Sequence, residues 1–166
     1  MPLARYALYA WGTQIYIAST VDRGEAWLRT LRHIAVEGRV FVIGCGMVER
    51  KSDIPDRYVF KQTYQPDIDE WVNVGDSAIV NPDGEFIAGP LREQEGILYA
   101  EIDPVRIRAA KWELDVAGHY ARPDVFQLTV RTGVQPMITA QEVVSSKNTQ
   151  ARETGPDKPA IAGTEY

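Results

Sequence analysis

The chain has 166 residues, the size of one ordinary domain, and its 45% hydrophobic, 25% charged and 10% aromatic content excludes a wholly disordered protein. Eighteen Lys and Arg against 23 Asp and Glu leave a net charge of −5 with no basic block, so nucleic acid is excluded as a partner on electrostatic grounds. No apolar run approaches the roughly 18 residues of a membrane span and no signal-peptide pattern opens the chain, which predicts a cytoplasmic protein with no membrane partner.

Pro2–Trp11 is rich in Ala, Leu and Tyr, with proline near its start and Gly12 just past its end, the asymmetry of a short helix. Ile15–Ala18 is a β-branched and aromatic run that predicts a buried strand. Asp22 and Glu25 stand at N-cap and N3 spacing, Trp27, Leu28, Leu31, Ile34 and Ala35 recur at helical period, and Glu25 and Arg29 can pair at i,i+4. Together with Gly38 as the closing residue, they predict an amphipathic helix of about four turns. Val40–Ile43 is continuously apolar, as for a strand covered on both faces, so strand, helix and strand form a parallel α/β unit.

Glu49–Trp71 shows little periodicity and many charged and proline positions, predicting a long surface excursion. Asp76–Val80 and Glu85–Ala88 flank Asn81-Pro82-Asp83-Gly84, a turn sequence that predicts a β-hairpin. A strand is expected at Ile97–Ile102, a helix at Pro104–Leu114 capped by Asp103, and a last strand at Val125–Val130. Beyond Arg131 the composition changes. Ser145–Tyr166 holds only Ile161 and Tyr166 as large apolar residues, so residues 131–166 are expected to be a disordered tail behind a 1–130 domain.

Groups capable of chemistry are few, and each has a structural explanation. Cys45, the one cysteine, permits no internal disulfide and has no zinc-ligand spacing to His33 or His119. A nucleophilic role would need an adjacent base or an electropositive setting, and a buried strand-end thiol is the preferred reading. Gly44-Cys45-Gly46 starts a dinucleotide fingerprint but meets Glu49 where glycine is required, so it reads as a turn. Glu101 and Asp103 lie two apart, as an acid/base pair might, yet helix capping accounts for Asp103 and a solvated strand position for Glu101. Asp67, Asp69 and Glu70 lack the glycine and terminal glutamate of a calcium loop. Gly75-Asp76-Ser77 has neither the flanking glycines nor the following helix of a nucleophile elbow. His33 reads as a helix-surface residue and His119 as a hydrogen-bonded loop residue. No metal and no cofactor are expected.

Taken in order, Tyr6–Gly12 leading to Ile15–Ala18, Arg32–Ile43, Gly75–Gly84, Ala88-Gly89-Pro90, Ile97–Asp103 and Gly118–Phe126 resemble the nitrilase family of carbon-nitrogen hydrolases over Met1 to about Val130. The resemblance implies an α/β fold, the second half of a four-layer α-β-β-α sandwich. It also implies hydrolysis of a small-molecule nitrile to a carboxylic acid and ammonia through a cysteine thioimidate. In that family a glutamate serves as base, a lysine stabilises charge, and the nucleophilic cysteine opens a Cys-Trp-Glu-Asn segment just before the position matching Met1. No catalytic residue is therefore assigned within this chain, and the chain alone is expected to be inactive. Ser19 and Thr20, at the end of the strand beside the nucleophile's strand, are assigned to the substrate pocket. Arg32, His33 and Glu37 are assigned to a subunit interface, since the first two helices resemble those that pair subunits into a homo-oligomer. The alternative to an enzyme fragment is a noncatalytic module that uses those helices to join full-length subunits.

Overall fold

The computed structural model of the chain describes residues 1–63 and 70–133. The chain divides into two units, Met1–Val130 and Arg131–Tyr166. Only Arg131–Gly133 of the second unit are described, so the expectation of a disordered tail falls outside the described residues.

Helix α1 spans Pro2–Ala10 and ends as its proline and glycine predict: Gly12 takes a positive φ of 84°, and its N–H donates to the Tyr9 carbonyl at 3.0 Å. Strand β1 spans Ile15–Thr20, helix α2 spans Gly24–Gly38 and strand β2 spans Phe41–Gly46. β1 and β2 pair in parallel, Ile15 opposite Phe41 through Thr20 opposite Gly46, which is the predicted unit. Strand β3 (Val48–Arg50) and a 3-10 turn (Lys51–Asp53) follow. Helix α3 (Val59–Thr63) comes next, so the expected surface excursion carries ordered elements and buries Ile54.

Strands β4 (Trp71–Val80) and β5 (Phe86–Arg92) form the predicted hairpin. Asn81 is buried in its turn. Its Oδ1 accepts from the N–H groups of Asp83 and Glu85 at 2.9 and 3.0 Å, and its Nδ2 donates to Glu85 Oε2 at 2.9 Å. The five strands make one mixed sheet in the order β1-β2-β4-β3, with β5 also paired to β4. Helix α4 (Pro104–Glu113) is capped as expected, Asp103 Oδ1 accepting from the Val105 N–H at 2.9 Å. No helix among the described residues is long and apolar enough to cross a membrane.

One side of the sheet packs on α2. Tyr16, Ala18, Val40, Val42, Ala78 and Val80 join Leu28, Leu31, Ile34 and Ala35 there, and full burial stabilises by about 1.5–3 kcal/mol for each Val, Leu or Ile among them. Gly44, expected in a turn, lies inside β2. A Cβ there would stand 2.6 Å from Leu31 Cδ1, so glycine admits the helix to the strand. Gly46 is likewise in β2, where a Cβ would run into the Gly75 carbonyl oxygen.

Several expectations are corrected. β1 is not a buried strand: among the described strands it pairs only with β2, and Ile17 is 71% exposed. Alternation explains this, because Tyr16 and Ala18 reach the α2 core while Ile15 and Ile17 face the opposite side. Asp22 and Glu25 do not form a capping box; Arg23 is the N-cap residue and has no side-chain cap bond. Gly38 is not the left-handed closing residue. That conformation falls on Arg39 at φ 48°, while a Cβ on Gly38 would run into the Tyr9 ring, so glycine serves the contact between α1 and α2. Ile97–Ile102 and Val125–Val130 are not strands. Both have the apolar content of strands, but no described neighbour offers a backbone ladder to either.

Candidate functional site

Parallel pairing brings the C-terminal ends of β1 and β2 to one place, with Ser19 opposite Cys45 and Thr20 opposite Gly46. In open α/β sheets the crevice beyond the C-terminal strand ends is the usual ligand site. Ser19 is exposed, and Thr20 turns its Oγ1 to accept from the Asp22 N–H at 3.1 Å. The two residues assigned from sequence to the pocket are therefore the last two of β1, and alternation turns their side chains to opposite sides of the sheet.

Cys45 stands beside them and is exposed rather than buried, which corrects the expected strand-end core thiol. The cause is again alternation: Gly44 faces Leu31 and α2, so Cys45 projects to the other side of β2. His33 lies on the exposed surface of α2 and His119 beyond α4, its ring centroid 4.8 Å from that of Tyr120 and tilted by 56°. Neither is hydrogen-bonded to the thiol, so no base activates it among the described residues. No cluster of three or more His, Cys, Asp or Glu suited to a metal occurs among the described residues.

The loop from β1 to α2 is held from β4. Arg23 Nη1 donates to Asn73 Oδ1 at 2.9 Å, and Asn73 Nδ2 donates to Glu49 Oε2 at 3.2 Å. The Gly24 N–H donates to Asp76 Oδ2 at 2.6 Å, and Arg92 Nε donates to Asp76 Oδ1 at 2.6 Å. Asp76 is 1% exposed and sits at φ 62°, following Gly75 at φ 90°, where the β4–β5 register shifts. Its carboxylate thus caps α2 from another strand, and the hydrogen bond from Arg92 raises the guanidinium pKa. Sequence reasoning missed this cluster. The one local signal was Gly75 within a strand pattern, the mark of a bulge.

The residues assigned to an interface divide between two environments. Arg32 Nε donates to the Gly84 carbonyl at 2.6 Å and its guanidinium lies 5.7 Å over the Phe86 ring. Glu37 accepts from Arg5 Nε at 2.8 Å and from the Tyr9 hydroxyl at 3.2 Å. Both therefore make contacts within the chain, whereas His33 is exposed on α2. Burial, followed by the nearby Glu37 charge, raises the Tyr9 hydroxyl pKa well above its ordinary value. Glu101 is exposed outside any strand, and Glu70 pairs with Arg50 at 3.3 Å. Asp67 and Asp69 lie outside the described residues.

A family model, carbon-nitrogen hydrolase, matches residues 1–111. The chain is 42% identical over 131 residues to an arylacetonitrilase of Trametes versicolor, covering 79% of this chain and 41% of that protein. It is 43% identical over 133 residues to a bifunctional nitrilase/nitrile hydratase of Nicotiana tabacum, covering 79% and 38%. With a nitrilase of Bradyrhizobium diazoefficiens it shares 39% identity over 148 residues, covering 89% and 46%. The chain thus spans less than half the length of these curated relatives. Its fold is similar to the crystal structure of a carbon-nitrogen hydrolase from Helicobacter pylori G27, with a TM-score of 0.52 at 24% identity, over 68% of this chain and 40% of that one.

Proposed function

The chain belongs to the carbon-nitrogen hydrolase family, and on that premise we propose that it is the C-terminal half of a nitrilase, acting on small-molecule nitriles. The identity to nitrilases supports the substrate class. The observation that carries the reading as a half is β1 itself, an edge among the described strands whose Ile15 and Ile17 are exposed on the sheet side opposite α2. An apolar edge strand at a ligand-type strand end is a surface that a further strand would pair with and cover.

In the reaction implied by the resemblance, a thiolate adds to the nitrile carbon and the nitrogen is protonated, giving a thioimidate. Water then replaces nitrogen and sulfur in turn, releasing ammonia and the carboxylic acid. Such a step needs an activated thiol and stabilisation of the developing charge. Cys45 is exposed and has no hydrogen-bonded base among the described residues, so this reading does not make it the nucleophile. In this reading the chain supports the pocket wall through Ser19 and Thr20, while the catalytic glutamate, lysine and cysteine belong to sequence preceding the match. The reading also keeps the protein in the cytoplasm, where a lone exposed thiol stays reduced, and makes it an oligomer through its helices.

The test is ammonia release from aliphatic and aromatic nitriles by the purified 166-residue chain, beside Cys45→Ala, with a size-exclusion profile of each sample. No ammonia from a folded sample is the expected result. Turnover lost on Cys45→Ala would overturn the assignment and make Cys45 the nucleophile.

A further inference from the structure

The Asp76 cluster has no part in the chemistry described above, yet it holds the only buried carboxylate among the described residues. A non-glycine residue at positive φ carries a conformational cost of about 1 kcal/mol or more, and glycine would remove that cost at φ 62°. Burying a carboxylate adds a desolvation cost unless strong donors meet it. Both costs are offset here by two charge-assisted bonds of 2.6 Å, one from the first residue of α2 and one from Arg92 on β5. The bulge at Gly75 and Asp76 is what aims the carboxylate across to Gly24, 52 positions earlier in the chain.

The geometry points to Asp76 as a positioning residue: it fixes the start of α2, and through the loop of residues 20–24 it fixes the direction of the Ser19 and Thr20 hydroxyls at the strand ends. Three bonds limit that loop. Thr20 Oγ1 holds the Asp22 N–H, Asn73 holds Arg23, and Asp76 holds Gly24. The last is the only one whose acceptor is buried, so it is the anchor solvent competes with least. The loop has no apolar side chain in the core between Ala18 and Leu28 except the partly buried Trp27. Its position therefore depends on these polar contacts. The functional part of this proposal rests on the pocket reading of Ser19 and Thr20.

Two substitutions separate the roles of backbone and carboxylate. Asp76→Gly suits the positive φ but removes the acceptor; Asp76→Asn keeps one acceptor for Gly24 and loses the charge that Arg92 meets. Amide hydrogen exchange of the full chain, followed by NMR, reads the Gly24 N–H and the amides of residues 19–25 against the core amides of Val42 and Val80. The expected result for Asp76→Gly is exchange at Gly24 and its neighbours at least tenfold faster than in the parent, in excess of any change at Val42 and Val80. Asp76→Asn is expected to recover part of the Gly24 protection. If Asp76→Gly leaves Gly24 as protected as in the parent, or changes all amides by one common factor, the positioning role is overturned. Arg92→Gln provides a milder variant, expected to loosen the same amides in the same pattern. These measurements use no substrate, so the anchor can fail while the nitrile reading stands, and a failed nitrile assay leaves the anchor's result intact.

Discussion

Leu31 is fully buried between α2 and β2, in contact with the space that Gly44 leaves open. Leu31→Ala is expected to destabilise the fold by about 2–5 kcal/mol, since lost burial and an unfilled cavity add, and urea unfolding followed by circular dichroism measures it. Tyr9 makes a different kind of contribution at the junction of α1 and α2. Its hydroxyl bonds to Glu37, and burial holds its pKa above that of an unfolded tyrosine. The unfolded chain therefore loses the Tyr9 proton first. The associated stability is complete below about pH 10 and declines as pH rises further toward the folded value. Tyr9→Phe is expected to flatten this decline, which thermal unfolding from pH 8 to 11 reads directly. The spacing of Leu28, Leu31 and Ile34 made the core side of α2 legible in the sequence, whereas the Tyr9–Glu37 contact depends on how α1 crosses α2.

At the scale of elements, helices whose ends carry local signals are legible in the sequence. Pro2 and Gly12 bracket α1, Asp103 and Pro104 open α4, and the Asn81–Gly84 turn closes the hairpin. The start of α2 departs from its local signals because its cap acceptor is Asp76, on a strand much later in the chain. β1 departs from the buried strand its apolar run predicts because such a run does not specify whether both faces and both edges are covered. Ile17, Ile43 and Ile79 are partners in a row across three strands. Exposure rises along that row from 8% at Ile79 to 71% at Ile17 on the β1 edge. An exposed apolar edge of this kind promotes association. Ile17→Lys is expected to lower concentration-dependent self-association in sedimentation experiments. The melting temperature should hardly move, because surface substitutions of this kind usually fall within about 0.5 kcal/mol.

For the whole molecule, the proposed lack of turnover and the open β1 edge among the described strands are two consequences of one arrangement. The described strands build a single sheet with α2 packed on one side. Toward β1 the other side carries exposed Ile15 and Ile17, and Cys45 shares that side by alternation. A catalytic half would need an activated nucleophile near these strand ends, and no base is hydrogen-bonded to Cys45 among the described residues. The ammonia assay and the size-exclusion profile are therefore joint readouts: the expected sample releases no ammonia and elutes larger than a monomer, because the apolar edge and the α2 surface remain available to partners. Loss of that larger species in Ile17→Lys would assign the association to the sheet edge rather than to the helices.

By itself the sequence determined the order of the α/β unit, the hairpin and α4, together with the family resemblance. These depend on local periodicity, caps and turn residues that act over a few positions. It also located Ser19 and Thr20 at a strand end. Only the tertiary structure decided that β1 is an edge and Ile97–Ile102 without a ladder among the described residues, that Cys45 is exposed and that Asp76 caps α2. Each of these is a pairing between distant segments, and backbone partners, exposure and buried charge compensation are properties of such pairings rather than of any local pattern.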